Sequence, residues 1–452
     1  MPRKQIANLK SNLTNAQIIN AVRNSSSVLA NAVEFATPEN IREVASAILK
    51  DNAYINEFLD NLINRIGRTY FSSKVWTNPL KQFKDGLLEW GEVAQEIFVN
   101  KVKEEFYSMW NAENTLFSIA IPDIRAMYYE MNSQKRYEAT INEDMLRQAF
   151  LSEGGLSNLV DGIVDRMAQQ DEVYEFEVMK NMMGDFATKG KFYPVKVSAV
   201  TDEASAKTLI KSIRAMYRKL TYVSNKYNYI GVDTHSLSTD IHLFISADLE
   251  AIVDVDVLAK AFNMEKTEFL GHLTILDEIP VTNGLAIMVD RSWFRTYDNK
   301  IETTSVYNAK GLYRNYFFHH WETFAVNSFA NAILFTTATP SITSVKFVDA
   351  SGSEEDEFEM LAGQVLEINT KVVSSGNAKT TLDFSVTSGA DYIAELTSTG
   401  NKVMVRLKPN VNSGVNVVIV ATSQQDITKT DTATIEVVAP TSNKLKENKN
   451  EK

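Results

Sequence analysis

Between Gly154-Gly155 and Gly190 the chain carries one long apolar stripe: Leu159, Val160, Ile163, Val164, Met167, Tyr174, Val178, Met182 and Phe186 share a helical face. From Leu156 onward this predicts a helix, spanning 156–190, of about 33 residues, a rod of roughly 50 Å at ~1.5 Å per residue. Gly190 ends it, as glycine does where a left-handed conformation closes a helix. Many short elements follow, so the rod reads as a spine across a flat molecule and not as one member of a bundle.

On either side of the spine the texture changes. Thr37-Pro38-Glu39 predicts a helix start, with Thr as cap and Pro at the first helical position. A stripe from Ile41 to Ile66 continues it to Gly67, with a break or a solvent-facing turn at Asp51-Asn52. Residues 1–36 are polar with a weak Ile18, Ile19, Val22 stripe, an arm that depends on something else for order. In 68–112, Thr69–Trp76 and Val93–Lys103 look extended, and Asn78-Pro79 and Asp85-Gly86 are turn dipeptides. The segment reads as a long hairpin with Trp76, Phe83 and Trp90 near its tip and a local basic character from Arg68, Lys74, Lys81 and Lys84. A hairpin of that size cannot bury both faces alone. It either folds onto its own domain or docks on another subunit.

Thr140-Ile141-Asn142-Glu143 has the form of a capping box opening a short helix. Residues 192–300 alternate: an amphipathic helix through Leu209, Ile213, Met216 and Leu220, then strands at Ile241–Ser246, Leu273–Leu276 and Leu285–Asp290 around a helical Asp248–Asn263. Leu312–Phe335, rich in aromatics and free of Gly and Pro, is one long strand or a strand pair. After Pro340 the pattern is all-β, with strands predicted at Ser341–Asp349, Val365–Val373, Leu382–Thr387, Val403–Leu407, Val415–Thr422 and Thr432–Val438. Glu354-Glu355-Asp356-Glu357 reads as a solvated loop, and 440–452 as a frayed tail.

Composition narrows the function. The chain has 452 residues and no cysteine, which excludes disulfide frameworks, thiolate metal sites and thiol nucleophiles. No apolar run approaches the ~18–20 residues of a membrane span. The charged start is followed by Asn8, Lys10, Ser11 and Asn12, so no secretory signal is expected. A net charge of -11 disfavours binding to nucleic acid by phosphate neutralisation. Charge and aromatics divide near Pro340: residues 340–439 hold seven Lys and Arg against thirteen Asp and Glu, and only four of 45 aromatics lie beyond 340.

Reactive constellations are scarce. In His319-His320-Trp321-Glu322, neighbouring histidines on a strand point to opposite faces and cannot share an ion. His235 and His242 lack metal-helix spacing, and Asp248, Asp254 and Asp256 lack the spacing and central Gly of a calcium loop. There is no GxGxxG, Walker-type loop or GxSxG. No enzyme activity, cofactor or metal is expected, though paired carboxylates drawn from distant positions leave no local signature.

Four strings resemble the major capsid proteins of short-tailed phages of the phi-29 type: Asn78–Gly86, Ser246–Asp277, Asp290–Asn299 and Asn308–Phe335, within a likeness running in order over most of 1–339. The resemblance implies an α+β Hong Kong 97-type capsid fold. Its parts would be an N-terminal arm and helix at 1–67, an extended loop at 68–112, and a peripheral domain at 113–194 containing the spine. An axial domain at 195–300 and a return to the peripheral domain at 301–339 would follow. Residues 340–439 resemble a bacterial group 2 immunoglobulin-like domain through Val345-Lys346-Phe347, Leu361-Ala362-Gly363, Leu382–Ser388 and Gly400, with Phe384 where such domains often carry Trp.

What the family implies is a subunit that assembles with itself into pentamers and hexamers of a phage head in the host bacterial cytoplasm. Its partners would be a scaffolding protein, a portal protein and packaged double-stranded DNA bound without sequence specificity, and it would have no membrane. Trp76, Lys81, Phe83, Lys84 and Trp90 are the expected inter-subunit contacts, their lysines meeting an acidic neighbour. Deleting 78–90 is then expected to leave a folded monomer unable to form shells. A surface adhesin, or a hydrolase with an immunoglobulin-like accessory domain, is the competing reading; the first lacks a signal peptide and the second a nucleophile or metal motif.

Overall fold

The computed structural model describes residues 14–51, 53–58, 61, 76–88, 92–101, 123–142, 144–145, 148–149, 155–253 and 272–439, the side chains of 155–166 and 168 excepted. Its helices are α1 (Asn15–Arg23), α2 (Ser27–Ala32), α3 (Ile41–Leu49), α4 (Gly155–Thr188) and α5 (Glu203–Leu220), besides shorter turns. The first strands are β1 (Lys84–Leu87), β2 (Ala94–Val99), β3 (Ile124–Tyr129), β4 (Ser133–Asn142), β5 (Tyr193–Lys196) and β6 (Ile241–Ser246). They continue as β7 (Leu273–Leu276), β8 (Gly284–Asp290), β9 (Phe294–Asn308), β10 (Tyr313–Val326) and β11 (Ala332–Thr336). No helix among the described residues is long and apolar enough to cross a membrane. The chain divides into two compact units: Met1–Ala94, Tyr129–Met179 and Arg295–Ala325 make the first, and Gln95–Tyr128, Lys180–Phe294 and Val326–Lys452 the second.

In the first unit the sheet order is β1-β9-β10-β4. The N-terminal segment is ordered by this sheet. Thr14 and Gln17 form a reciprocal capping box at the start of α1, and Ile18, Ile19 and Val22 share a core with Val44, Ile48, Phe58, Tyr316 and Phe318. Asn20 fastens the next segment by exchanging two 2.7 Å hydrogen bonds with the backbone of Ala36. The predicted helix start at Thr37-Pro38 moves to Asn40, because the Thr37 amide donates to Asn40 Oδ1 in a preceding turn. The break at Asp51 is present: its carboxylate accepts from the Ala53 amide and opens a second helical turn at 53–58. Leu62, Ile63, Ile66 and Gly67 lie outside the described residues.

The capping box at Thr140–Glu143 is not one. Thr140, Ile141 and Asn142 belong to β4, paired with Asn315, Arg314 and Tyr313, and Ile141 points into the core. Asn142 instead accepts from the Met145 amide, capping two positions later. Of the 68–112 hairpin, 68–75, 89–91 and 102–112 lie outside the described residues, and its described strands pair elsewhere. β1 pairs in parallel with β9, some 210 residues downstream, while β2 pairs with β3 in a separate ribbon of the second unit.

The second unit carries the sheet β5-β11-β8-β6-β7, with α5 laid on it through Leu209, Ile213, Met216, Tyr217 and Leu220. The run Leu312–Phe335 is thus two strands in different sheets, β10 and β11. Helix α4 stops as expected: Gly190 sits at φ 61° while its amide and that of Lys191 close on Ala187 and Phe186 carbonyls. The predicted helix at Asp248–Asn263 is a single turn, Ala247–Glu250, capped by Ser246 and ended at Ala251; residues from 254 on lie outside the described residues.

Past Pro340, β12 (Ser341–Val348), β14 (Val365–Ser375), β16 (Ile393–Thr399) and β17 (Lys402–Leu407) form one sheet. The second holds β13 (Glu357–Leu361), β15 (Leu382–Ser388), β18 (Asn416–Ser423) and β19 (Thr430–Val438). Phe347, Ile368 and Val405 from one sheet meet Val417, Ile419 and Ile435 from the other in a shared core. Glu357, expected in a loop, opens edge strand β13.

This sandwich is seated on the rest of its unit by polar contacts. Thr380 donates to the Gly190 carbonyl at 2.8 Å, Thr381 to Tyr229 at 3.0 Å and Asn377 to Thr282 at 3.1 Å. Lys379 is fully buried, with Nζ donating to the Lys226 carbonyl at 2.7 Å and to Gln424 Oε1 at 2.9 Å. Burial pushes its amine down to about 7, and Asp383 opposes this only in part. A neutral amine has two N–H groups, which matches its two acceptors. Because the folded pKa is lowered, Lys379 destabilises the chain below about 7 and releases that cost as pH rises toward 10.5. Lys379→Met is therefore expected to lose this rise, seen as a smaller gain in urea midpoint between pH 7 and 10 than the parent shows.

Candidate functional site

The segment 78–88 folds tightly against its own unit. Asn78 caps a 3-10 turn, Pro79–Phe83, by accepting from the Leu80 amide at 2.8 Å, and Leu80 and Phe83 are buried. The Asn78 amide donates to Glu172 Oε2 at 2.8 Å, and Lys81 Nζ meets Glu172 Oε1 at 3.1 Å. Gly86, at φ 115°, lets β1 follow a register irregularity along β9.

Lys84 then enters a buried cluster. Its Nζ lies 2.5 Å from Asp298 Oδ1, 2.8 Å from Glu175 Oε1 and 2.9 Å from Glu322 Oε1. His320 completes the group, with Nδ1 2.9 Å from Asp171 Oδ1 and Nε2 2.7 Å from Asp298 Oδ1. Helix α4 supplies Asp171 and Glu175 from one face, four residues apart, and β10 supplies His320 and Glu322 from one face, two apart. His319 points the other way and meets Thr304 at 2.9 Å.

Burial by itself would discharge Lys84, but the fields of Glu175, Glu322 and Asp298 outweigh it and hold the ammonium charged far above its ordinary range. His320 behaves likewise: burial opposes its charge, and hydrogen bonds to Asp171 and Asp298 raise it to about 10. Asp298 is held below its ordinary value because the His320 and Lys84 contacts exceed its burial penalty. Glu322, fully buried, is pushed up to about 7 by desolvation that Lys84 and His320 only partly offset. The donor atoms of Asp171, Glu175, His320 and Glu322 lie within 4.8 Å of one another, a composition that suits metals. Lys84 already engages two of these carboxylates and both imidazole nitrogens are hydrogen-bonded, so Lys84 and His320 supply the cluster's positive charge.

Of the residues expected to touch a neighbour, Phe83 and Lys84 are inside, and the acidic surface Lys84 meets belongs to its own chain. Lys81 is paired with Glu172 of the same chain, and Trp76, 39% exposed, packs edge-on to Phe176 at 5.7 Å. Trp90 lies outside the described residues. Removing 78–90 would therefore strip core residues, and a folded monomer is not the expected product. The cluster was missed because its members come from four separate elements, and no local motif announces it.

The sequence matches the family of Phi29-like phage major capsid proteins over residues 19–336. The chain belongs to that family. It is 39% identical over 333 residues to the major capsid protein of Bacillus phage PZA, covering 73% of this chain and 74% of the relative. With that of Bacillus phage B103 it is 40% identical over 334 residues, again covering 73% and 74%. The solved capsid structure of Staphylococcus phage Andhra shares the fold at a TM-score of 0.51 and 16% identity, over 59% of this chain and 86% of that one. The Hong Kong 97-type capsid fold implied by the resemblance is thus present, in an α+β chain. Three of the four strings that carried the resemblance meet in the ionic cluster: Asn78–Gly86 brings Lys81 and Lys84, Asp290–Asn299 brings Asp298, and Asn308–Phe335 brings His320 and Glu322.

Proposed function

We propose that this chain is the shell-forming subunit of a phage head, assembling with copies of itself into pentamers and hexamers around a packaged genome. The observation that carries this is the family match over 19–336, joined to relatives named as major capsid proteins. In this reading 1–67 is the arm, 68–112 the extended loop, 113–194 with 301–339 the peripheral domain, and 195–300 the axial domain. Residues 340–439 form an immunoglobulin-like module. Trp76 is the residue of the loop assigned to a neighbouring subunit, with Lys81, Phe83 and Lys84 holding the loop base in place. A scaffolding protein, a portal and double-stranded DNA held without sequence specificity are the assigned partners, the host cytoplasm is the place of assembly, and no catalysis is assigned. Its acidic net charge fits a wall along which DNA slides instead of sticking. Electron microscopy and light scattering of the purified chain, alone and with its scaffolding protein, are expected to show capsomers or closed shells. A small discrete particle under both conditions would count against the proposal.

A further inference from the structure

The ionic cluster is out of charge balance. Among the described residues, Asp171, Glu175, Asp298 and Glu322 bring four carboxylates, and the cations paired with them are Lys84 and a charged His320. Glu172 is taken by Lys81. Two uncompensated negative charges in a dry interior are costly, so such a group acquires a countercharge. The structure also shows where. Among the described residues, Glu322 Oε2 is the buried carboxylate oxygen without a hydrogen-bond partner, whereas Oε1 of the same residue accepts from Lys84.

We propose that one proton, carried on Oε2 of Glu322, is a structural component of this cluster, and that losing it loosens the hold on residues 78–88. The groups facing Glu322 fit this from every side. Lys84 comes from β1, Asp171 and Glu175 from α4, Asp298 from β9, His320 from β10 itself, and the buried Tyr137 hydroxyl from β4. A protonated carboxyl becomes a donor, and the oxygens of Asp171 and Glu175 lie in the same 4.8 Å group. Protonation halves the net charge while leaving Lys84 its contact with Oε1. A divalent cation would neutralise the same charge but would compete with Lys84 for Glu175 and Glu322.

The sign follows from linkage. A carboxyl raised from 4.5 to about 7 stabilises the fold most below 4.5, loses that contribution as pH rises to 7, and is flat above. His320, raised to about 10, begins to lose its contribution above 6.5, so the range from pH 4.5 to 6.5 isolates Glu322; Asp298, lowered, loses its own below that range. The inference does not depend on shell assembly.

Hydrogen exchange of peptides spanning 79–88 in the full chain, corrected for intrinsic pH dependence, tests it. Protection is expected to fall on the order of a few tens-fold from pH 4.5 to 6.5. Glu322→Gln, a neutral carboxamide, is expected to keep high protection at both. In the parent chain, the pH slope of the urea unfolding free energy over the same range should report uptake of about one proton by the folded state, a readout that needs no variant. Parallel profiles for parent and variant would overturn the proposal. So would absence of proton uptake in the parent, or protection that depends on added magnesium or zinc and is lost with chelator.

Discussion

Replacing Lys84 by Met is expected to destabilise the first unit by about 3–5 kcal/mol, the usual range for breaking a buried ion pair from one side. The substitution keeps an apolar stem of similar length and removes the charge that Glu175, Asp298 and Glu322 surround. Only His320 then faces four carboxylates. Urea unfolding at pH 7.5 should show the loss, and two further measurements identify its cause. The deficit should shrink as pH falls from 7.5 to 5, because the orphaned carboxylates take up protons. Adding Glu322→Gln to Lys84→Met should recover part of it, since one of the unpaired charges disappears. An unchanged midpoint for Lys84→Met would mean that the carboxylates carry no charge to balance. Because Lys84 begins β1, the same variant should also free the 78–88 segment, and with it the base of the proposed loop.

The fold was legible where periodicity persists. The stripe from Leu159 to Phe186 became α4, the face through Leu209 and Leu220 became α5, and the β-branched runs at Ile241 and Leu273 became strands. What failed was pairing that depends on distant partners. Thr140 to Asn142 satisfies a capping pattern and a strand alternation equally well, and β10 decides between them. Asp85-Gly86 looks like a hairpin turn, yet β1 finds its partner in β9. Strand β13 was hidden by its own acidity: Glu357 and Glu359 face outward from an edge while Met360 is buried. Strand β16, polar and mostly half-buried, showed no clear alternation either.

The cluster itself left two traces. Between Met167 and Tyr174 the apolar stripe of the spine lapses, and Asp171, four residues after Met167, falls on the face that should be buried; Glu175 repeats this one turn on. On the strand, His319 and His320 diverge, and by the same alternation His320 and Glu322 converge. A buried-face acid on a helix and a same-face His–Glu pair on a strand each call for a partner. Only the three-dimensional arrangement shows that Lys84 supplies it.

The seat of the C-terminal sandwich makes the other large prediction, at Gly190. A side chain there would meet two obstacles. The residue sits at φ 61°, where an L-residue costs roughly 1–2 kcal/mol. An added Cβ would lie 2.6 Å from Thr380 Cγ2 and 2.7 Å from the Ala378 carbonyl, on the segment that carries Lys379 into its pocket. Relieving that overlap adds roughly 1–3 kcal/mol if the sandwich must shift. Gly190→Ala is thus expected to lower stability by about 2–5 kcal/mol in the full chain and to expose the Pro340 junction to limited proteolysis. A chain ending at Thr339 separates the two effects. Among the described residues the core around α5 draws on none beyond Phe335, so this shorter chain should fold, and Gly190→Ala within it should cost only the backbone share of about 1–2 kcal/mol. Equal costs in both chains would mean that the sandwich moves freely on its seat, and that the contacts from Thr380, Thr381 and Lys379 do not fix it.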